Sequence, residues 1–273
     1  MPYDNFTKLR SFLVPDTDPS FIFDAPRYSE LAVKNADPYQ NADPFPHIVL
    51  DDFIDIDVSR HIASAFPKPE DAKDWVICDH NNAQKRYQHD ETFLPIPLRK
   101  MLREFNSRQF LLFLETLTGI ENLIPDPYFI GGGAHISGTG DFLKIHADFN
   151  WHDKLLLHRR INAIVYFNDD WDESWGGELE LWDKNMTSAV VKIAPHIGRI
   201  AIFNVDQNSN HGHPHPLKTP KDTYRKALNL YYYTRLRDEA EIHDPHFTLY
   251  KTQSPFALGL GDTYRNRSND VDE

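Results

Sequence analysis

The sequence predicts an α+β domain, mainly β, in which a helical N-terminal part precedes an all-β core of the sandwich or barrel type. Apolar residues repeat at helical spacing only in the first half of the chain, and after Pro127 short β-like runs separated by turn residues take over. The scale also fits: 273 residues, 40% hydrophobic and 13% aromatic, can bury a substantial core.

In chain order, Pro15, Pro19, Pro26, Pro38 and Pro44 break any long periodicity, so residues 1–45 read as an irregular arm wrapped on the domain. A short apolar strand starts at Pro46-His47-Ile48-Val49-Leu50, and Asp57 is a candidate N-cap for a helix through about Phe66. From Lys68 to about Pro95 the chain is polar and weakly periodic, which suggests a loop or lid. Leu98, Met101, Leu102 and Phe105 then fall at i, i+3, i+4, i+7, and Phe110, Phe113, Leu114 and Leu117 repeat the spacing before Gly119. The phase slips at Asn106-Ser107, so two consecutive helices are expected. Strands are expected over Tyr128–Ser137, Phe142–Asp148, Ile161–Asn168, Glu178–Trp182, Ala189–Ala194, Arg199–Asn204 and Lys226–Thr234. The domain proper then spans 46–235, and 236–273 is a charged tail, packed on the domain or partly flexible.

Charge and cysteine content remove several function classes. With 29 Lys+Arg against 41 Asp+Glu, a net charge of -12 at pH 7 disfavours nucleic acid as a partner. The single cysteine, Cys78, leaves no internal disulfide and no Cys-x-x-Cys pair. The N-terminus lacks the pattern of a signal peptide and no long apolar run occurs, so the expectation is a cytoplasmic protein without a membrane partner. Histidines, carboxylates and arginines are left as the chemical actors.

Three clusters of such residues stand out. In Lys144-Ile145-His146-Ala147-Asp148, His146 and Asp148 are two apart on a strand and point to one side, so two potential metal ligands converge. In Asn210-His211-Gly212-His213-Pro214-His215-Pro216 a histidine could complete a two-histidine, one-carboxylate face. His213 and His215 precede prolines and read as exposed loop residues, which favours His211. Arg225, at the head of the strand running to Thr234, is suited to grip a carboxylate if a pocket buries it.

Together, His146-x-Asp148, Ile164-Val165-Tyr166-Phe167-Asn168, Trp175-Gly176-Gly177-Glu178-Leu179, His211-Gly212-x-Pro214, Arg225 and Tyr231-Tyr232-Tyr233 resemble the prolyl 4-hydroxylase branch of the Fe(II)/2-oxoglutarate-dependent dioxygenases. The resemblance covers about Pro46 to Thr234 and implies a double-stranded β-helix (jelly-roll) core with flanking helices. It implies His146, Asp148 and His211 as iron ligands and Arg225 as the partner of the distal 2-oxoglutarate carboxylate. Tyr166, Ile164 and Leu179 would line the cosubstrate pocket, and Tyr231 would pack near the iron. The implied activity is a hydroxylase that uses Fe(II), 2-oxoglutarate and O2, with ascorbate as a candidate reductant, on a small-molecule or prolyl/peptidyl substrate. Halogenating relatives lack the carboxylate, so Asp148 favours hydroxylation. Two rivals share the motif: a non-catalytic jelly-roll binding or sensing module, and a zinc hydrolase on the same ligands.

Other features carry less. Gly131-Gly132-Gly133 reads as a bulge or a close backbone approach. His158-Arg159-Arg160 is a small basic island that either recognises an anionic substrate group or offsets Asp169, Asp170, Asp172 and Glu173, the second being favoured. Tyr128 and His135 precede the His-x-Asp segment and are candidate contacts to substrate or cosubstrate.

Overall fold

The structure, a computed structural model, describes residues 21–72 and 74–251, so residues 1–20 of the expected arm and 252–273 of the tail lie outside the described residues. A helix, α1 (Pro26–Gln40), stands where the prolines predict irregular chain. Pro26 occupies the first turn, where its missing N–H costs nothing, and Pro38 falls in the last turn, where little helix remains to break. After β1 (His47–Leu50) comes α2 (Ile56–Ala65), capped two residues earlier than predicted. Its cap is Asp55, whose carboxylate accepts from the N–H of Asp57 at 2.9 Å and of Val58 at 3.3 Å.

The polar stretch expected as a loop or lid instead holds a hairpin, β2 (Val76–His80) and β3 (Ala83–Gln88), closed by Asn81-Asn82. Its outer strand is exposed, with Ile77 64% accessible, so it carries almost no alternating signature of burial. The two predicted helices form as α3 (Ile96–Phe105) and α4 (Arg108–Thr118). They part at Asn106-Ser107: Ser107 Oγ accepts from Phe110 N–H at 3.3 Å, and α4 ends on Gly119 at φ +73°.

The strands that follow are β4 (Ile124–Pro125), β5 (Gly133–Ser137), β6 (Phe142–Ala147), β7 (Trp151–His152), β8 (Leu157–Tyr166), β9 (Leu179–Trp182) and β10 (Ala189–Ile193). They are completed by β11 (Ile200–Asn204), β12 (His211–His213), β13 (Arg225–Thr234) and β14 (Leu249–Tyr250). The predicted runs coincide with β5, β6, β8, β9, β10, β11 and β13. β12 corrects the reading of His213 as an exposed loop residue: it is a buried strand position, while His215 is exposed.

All strand pairings are antiparallel, in the order β1-β11-β8-β13-β5-β3-β6-β12-β9-β10. The sheet folds over on itself. Ile164, Tyr166, Ala201, Phe203 and Ala227 of one half pack against Leu179, Leu181 and Ile193 of the other, which makes a jelly-roll core. The opposite face of β8, β11 and β13, with Ile161, Ala163, Val165, Ile202, Leu228 and Leu230, packs on the helices. Tyr232 ties the two layers, its hydroxyl donating to the Phe105 carbonyl at 2.9 Å. The glycine run makes a close backbone approach, since a Cβ on Gly133 would lie 2.2 Å from the Gln88 carbonyl oxygen and φ there is +79°. Among the described residues no helix is long and apolar enough to cross a membrane.

Candidate metal centre

His146, Asp148 and His211 converge on the inner face, with one ligand atom from each within 4.8 Å of the others, and all three are buried. The register explains the meeting. His211 on β12 lies directly across from His146 on β6, and Asp148 sits two residues beyond His146 at the end of that strand. The His146 Nε2 is 3.5 Å from Asp148 Oδ1, and the His211 Nε2 is 3.3 Å from Oδ2. Each imidazole donates its Nδ1–H to a backbone carbonyl, that of Lys144 at 2.8 Å and of Ser209 at 2.9 Å. A carbonyl only accepts, so Nε2 is left with its lone pair directed at the cluster, as a metal ligand requires.

The carboxylate is held from behind by Arg159, which was read otherwise in the sequence, and by Asn162, which was not singled out. Asp148 Oδ2 accepts from Arg159 Nη2 at 3.0 Å and from Asn162 Nδ2 at 2.6 Å. Arg159 also donates through Nε to Asn162 Oδ1 at 3.1 Å and lies 3.4 Å from the Tyr231 ring centroid and 4.2 Å from that of Phe149. This corrects the reading of His158-Arg159-Arg160 as an island offsetting Asp169 and its neighbours: Arg159 has no solvent exposure and pairs with Asp148, and Asp169 pairs with Arg60. A bulge is the reason. Tyr232 is opposite Ile161 but Tyr233 is opposite Arg159, so Arg160 is skipped and Arg159 turns onto the inner face beside Asn162, Ile164 and Tyr166. Burial alone would raise the Asp148 pKa, but Arg159 and the two histidines outweigh it and hold the carboxyl well below the usual range. Burial pushes His211 down to about 4 against the pull of Asp148, so the ring is neutral near pH 7.

Arg225 opens β13 on the same face and is 7% exposed. Its Nε donates to the Gly177 carbonyl at 2.8 Å, and Nη2 approaches the Tyr166 hydroxyl at 3.5 Å. Gly177 makes room: at φ +81° a Cβ would come 2.7 Å from Leu217 Cδ2 and 3.2 Å from Arg225 Cδ. No carboxylate lies within 4.0 Å of the guanidinium among the described residues. Ile164, Tyr166 and Leu179 line this end in one apolar cluster, whereas Tyr231 reaches the centre through Arg159 and donates its hydroxyl to the Gly131 carbonyl at 2.9 Å. His135 Nε2 and His213 Nδ1 are buried without a hydrogen-bond partner. Of the other two candidates, His135 is buried and stacks on Tyr87, and Tyr128 is exposed beneath the Lys154 ammonium. A neutral His-Asp-His ligand set suits a divalent ion with open positions, and an unpaired buried arginine with orphaned polar atoms nearby suits a carboxylate-bearing molecule.

The comparisons agree with this arrangement. Residues 132–233, which contain all three clustered residues and Arg225, match the model of the 2OG-Fe(II) oxygenase superfamily. A Pseudomonas putida prolyl-4-hydroxylase superposes with a TM-score of 0.54 at 17% identity, over 75% of this chain and 99% of that one. A Trichoplax adhaerens prolyl hydroxylase, solved with a hypoxia inducible factor peptide fragment, superposes at 0.55 and 16% identity, over 79% and 93%. No curated protein matches the chain. The family match favours the oxygenase reading over the binding-module and zinc-hydrolase readings. Over residues 132–233 the chain is thus similar to the 2OG-Fe(II) oxygenase superfamily, and its clustered His-Asp-His set suits Fe(II) as the metal, with 2-oxoglutarate as the cosubstrate.

Proposed function

We propose that the chain is a hydroxylase that holds Fe(II) with His146, Asp148 and His211 and oxidises an unactivated C–H bond of a small molecule or a prolyl/peptidyl substrate. The observation that carries this is the coexistence, on one inner face, of the clustered ligand set and of a buried Arg225 without an acidic partner. Bound iron and 2-oxoglutarate supply, with O2, the oxidising power for hydroxylation, with succinate and carbon dioxide as coproducts. The chain's own residues do the rest. Arg225, steadied by the Gly177 carbonyl and flanked by Tyr166, takes the distal carboxylate, and Ile164 and Leu179 keep water from the methylene chain between the two acid ends. Arg159 and Asn162 fix Asp148 so that its remaining oxygen faces the metal. The peptide bound by the Trichoplax enzyme supports a peptidyl substrate as one candidate class.

Purified protein supplied with Fe(II) and ascorbate is expected to consume 2-oxoglutarate and release succinate, and His146→Ala is expected to abolish this. Unchanged turnover in that variant removes His146 from the metal site. A succinate-release screen over amino acids, proline-containing peptides and sugar metabolites then identifies the substrate class.

A further inference from the structure

The hairpin strand β3 brings one more charged side chain to the inner wall. Tyr87 lies across from His135, and His135 lies across from Ala227, so these three share a row and a face. Lys85 is two residues before Tyr87 and Arg225 two before Ala227, which puts both on that same face. Lys85 and Arg225 thus flank β5 in one row, about 10 Å apart at their Cα atoms by strand spacing. The Lys85 Nζ lies 5.7 Å from the Tyr87 ring centroid, and Tyr87 stacks on His135 at 5.3 Å.

Lys85 is half-buried and has no carboxylate within 4.0 Å among the described residues. The nearby acid of the inner wall, Asp148, is already engaged by Arg159 and Asn162. Two cations on one inner face repel each other, and the arrangement is costly until an anion sits between them. Burial pushes the Lys85 ammonium down, and Arg225 and Arg159 push the same way, while Cys78 and Asp148 oppose. The unpartnered His135 Nε2 and His213 Nδ1 lie near enough that the Lys85 and Arg225 charges both lower these rings, beyond the effect of burial. Two unpaired cations and two orphaned imidazole nitrogens describe a cage for a small dicarboxylate.

We propose that Lys85 is a second cationic ligand of 2-oxoglutarate, gripping one of its carboxylates from β3, across β5 from Arg225. This rests on the hydroxylase reading above and extends the cosubstrate site to the β2–β3 hairpin. The test is calorimetric titration of 2-oxoglutarate into Ni(II)-loaded full-length protein, for the wild type, Lys85→Met, Lys85→Gln and Lys85→Arg. The Met and Gln variants should raise the Kd for 2-oxoglutarate at least tenfold, Arg should stay within threefold, and all should keep the Ni(II) affinity and melting temperature of the wild type. A Kd within threefold of wild type in both the Met and Gln variants overturns the assignment of Lys85 and leaves the hydroxylase reading standing. A wild-type protein that binds Ni(II) but no 2-oxoglutarate overturns both.

Discussion

Arg159 shows how much of the clustered His-Asp-His site is built by residues behind it. Its guanidinium is sealed between Phe149 and Tyr231 and meets Asp148 at 3.0 Å, and both residues are buried. Breaking such a pair by removing one partner costs about 3–5 kcal/mol, because the other charge stays buried and unpaired. Arg159→Met is therefore expected to destabilise the apoprotein by that order in urea unfolding. It should also weaken Ni(II) binding roughly 10–100-fold, the usual effect of losing a group that orients a ligand. Undiminished Ni(II) affinity would mean that Asn162 alone suffices to position Asp148. This residue also marks the limit of what could be read from the chain. That His146 and Asp148 share a side was legible from strand parity, and the choice of His211 rested on Gly212, while Arg225 stood out only through the family resemblance; the structure brings the first three together and buries the fourth on the same face. Arg159 was not legible, since the bulge that skips Arg160 reverses the parity. An arginine eleven residues after a candidate ligand carries no local signal of burial.

At the scale of elements, β5 and β12 carry an acid-sensitive load. His135 and His213 are held well below 6.5 by burial, reinforced by the Arg225 and Lys85 charges, and His211 is pushed down by burial to about 4. The unfolded chain binds these protons below pH 6.5 while the folded chain does not. Stability from this source is complete above 6.5 and is lost as pH falls toward the folded values. Each histidine contributes a slope of up to about 1.4 kcal/mol per pH unit. Urea unfolding of the apoprotein between pH 7.5 and 5 should show this decline, and His135→Phe, which keeps the stack on Tyr87, should remove one histidine's share of it. An unchanged slope would show that His135 is already protonated in the fold or stays unprotonated in the unfolded chain. Elements with strong local periodicity, α3, α4 and the long strands, were legible. The ones that were not have plain causes: α1 has prolines only where a helix tolerates them, and the β2–β3 hairpin has an exposed outer strand.

For the whole molecule, the order of the sheet gives the C-terminal segment a role that its charged, irregular sequence conceals. β14 pairs with β6, Tyr250 lies opposite His146, and Lys251 N–H donates to the Ile145 carbonyl at 2.8 Å. Asn150, two residues past Asp148, locks the same segment: its Nδ2 donates to the Asp244 carbonyl at 3.0 Å and its Oδ1 accepts from His246 N–H at 2.8 Å. The segment thus brackets the stretch that bears two of the three clustered residues, and the Tyr250 ring lies 5.7 Å from that of His146. The helices and the main apolar cluster have no stake in this contact, because that cluster draws on α1, α3, α4, β8 and β13. Ending the chain after Arg237 should therefore leave the helical layer folded while residues 145–151 lose the strand partner on one side. Hydrogen exchange at Ile145–Asp148 is expected to rise at least tenfold in the truncated protein, with α3 and α4 unchanged, and bound Ni(II) should slow it again. Equal exchange in both proteins would show that β12 and β3 alone hold β6 in place, and would reduce the tail to a cover over β6.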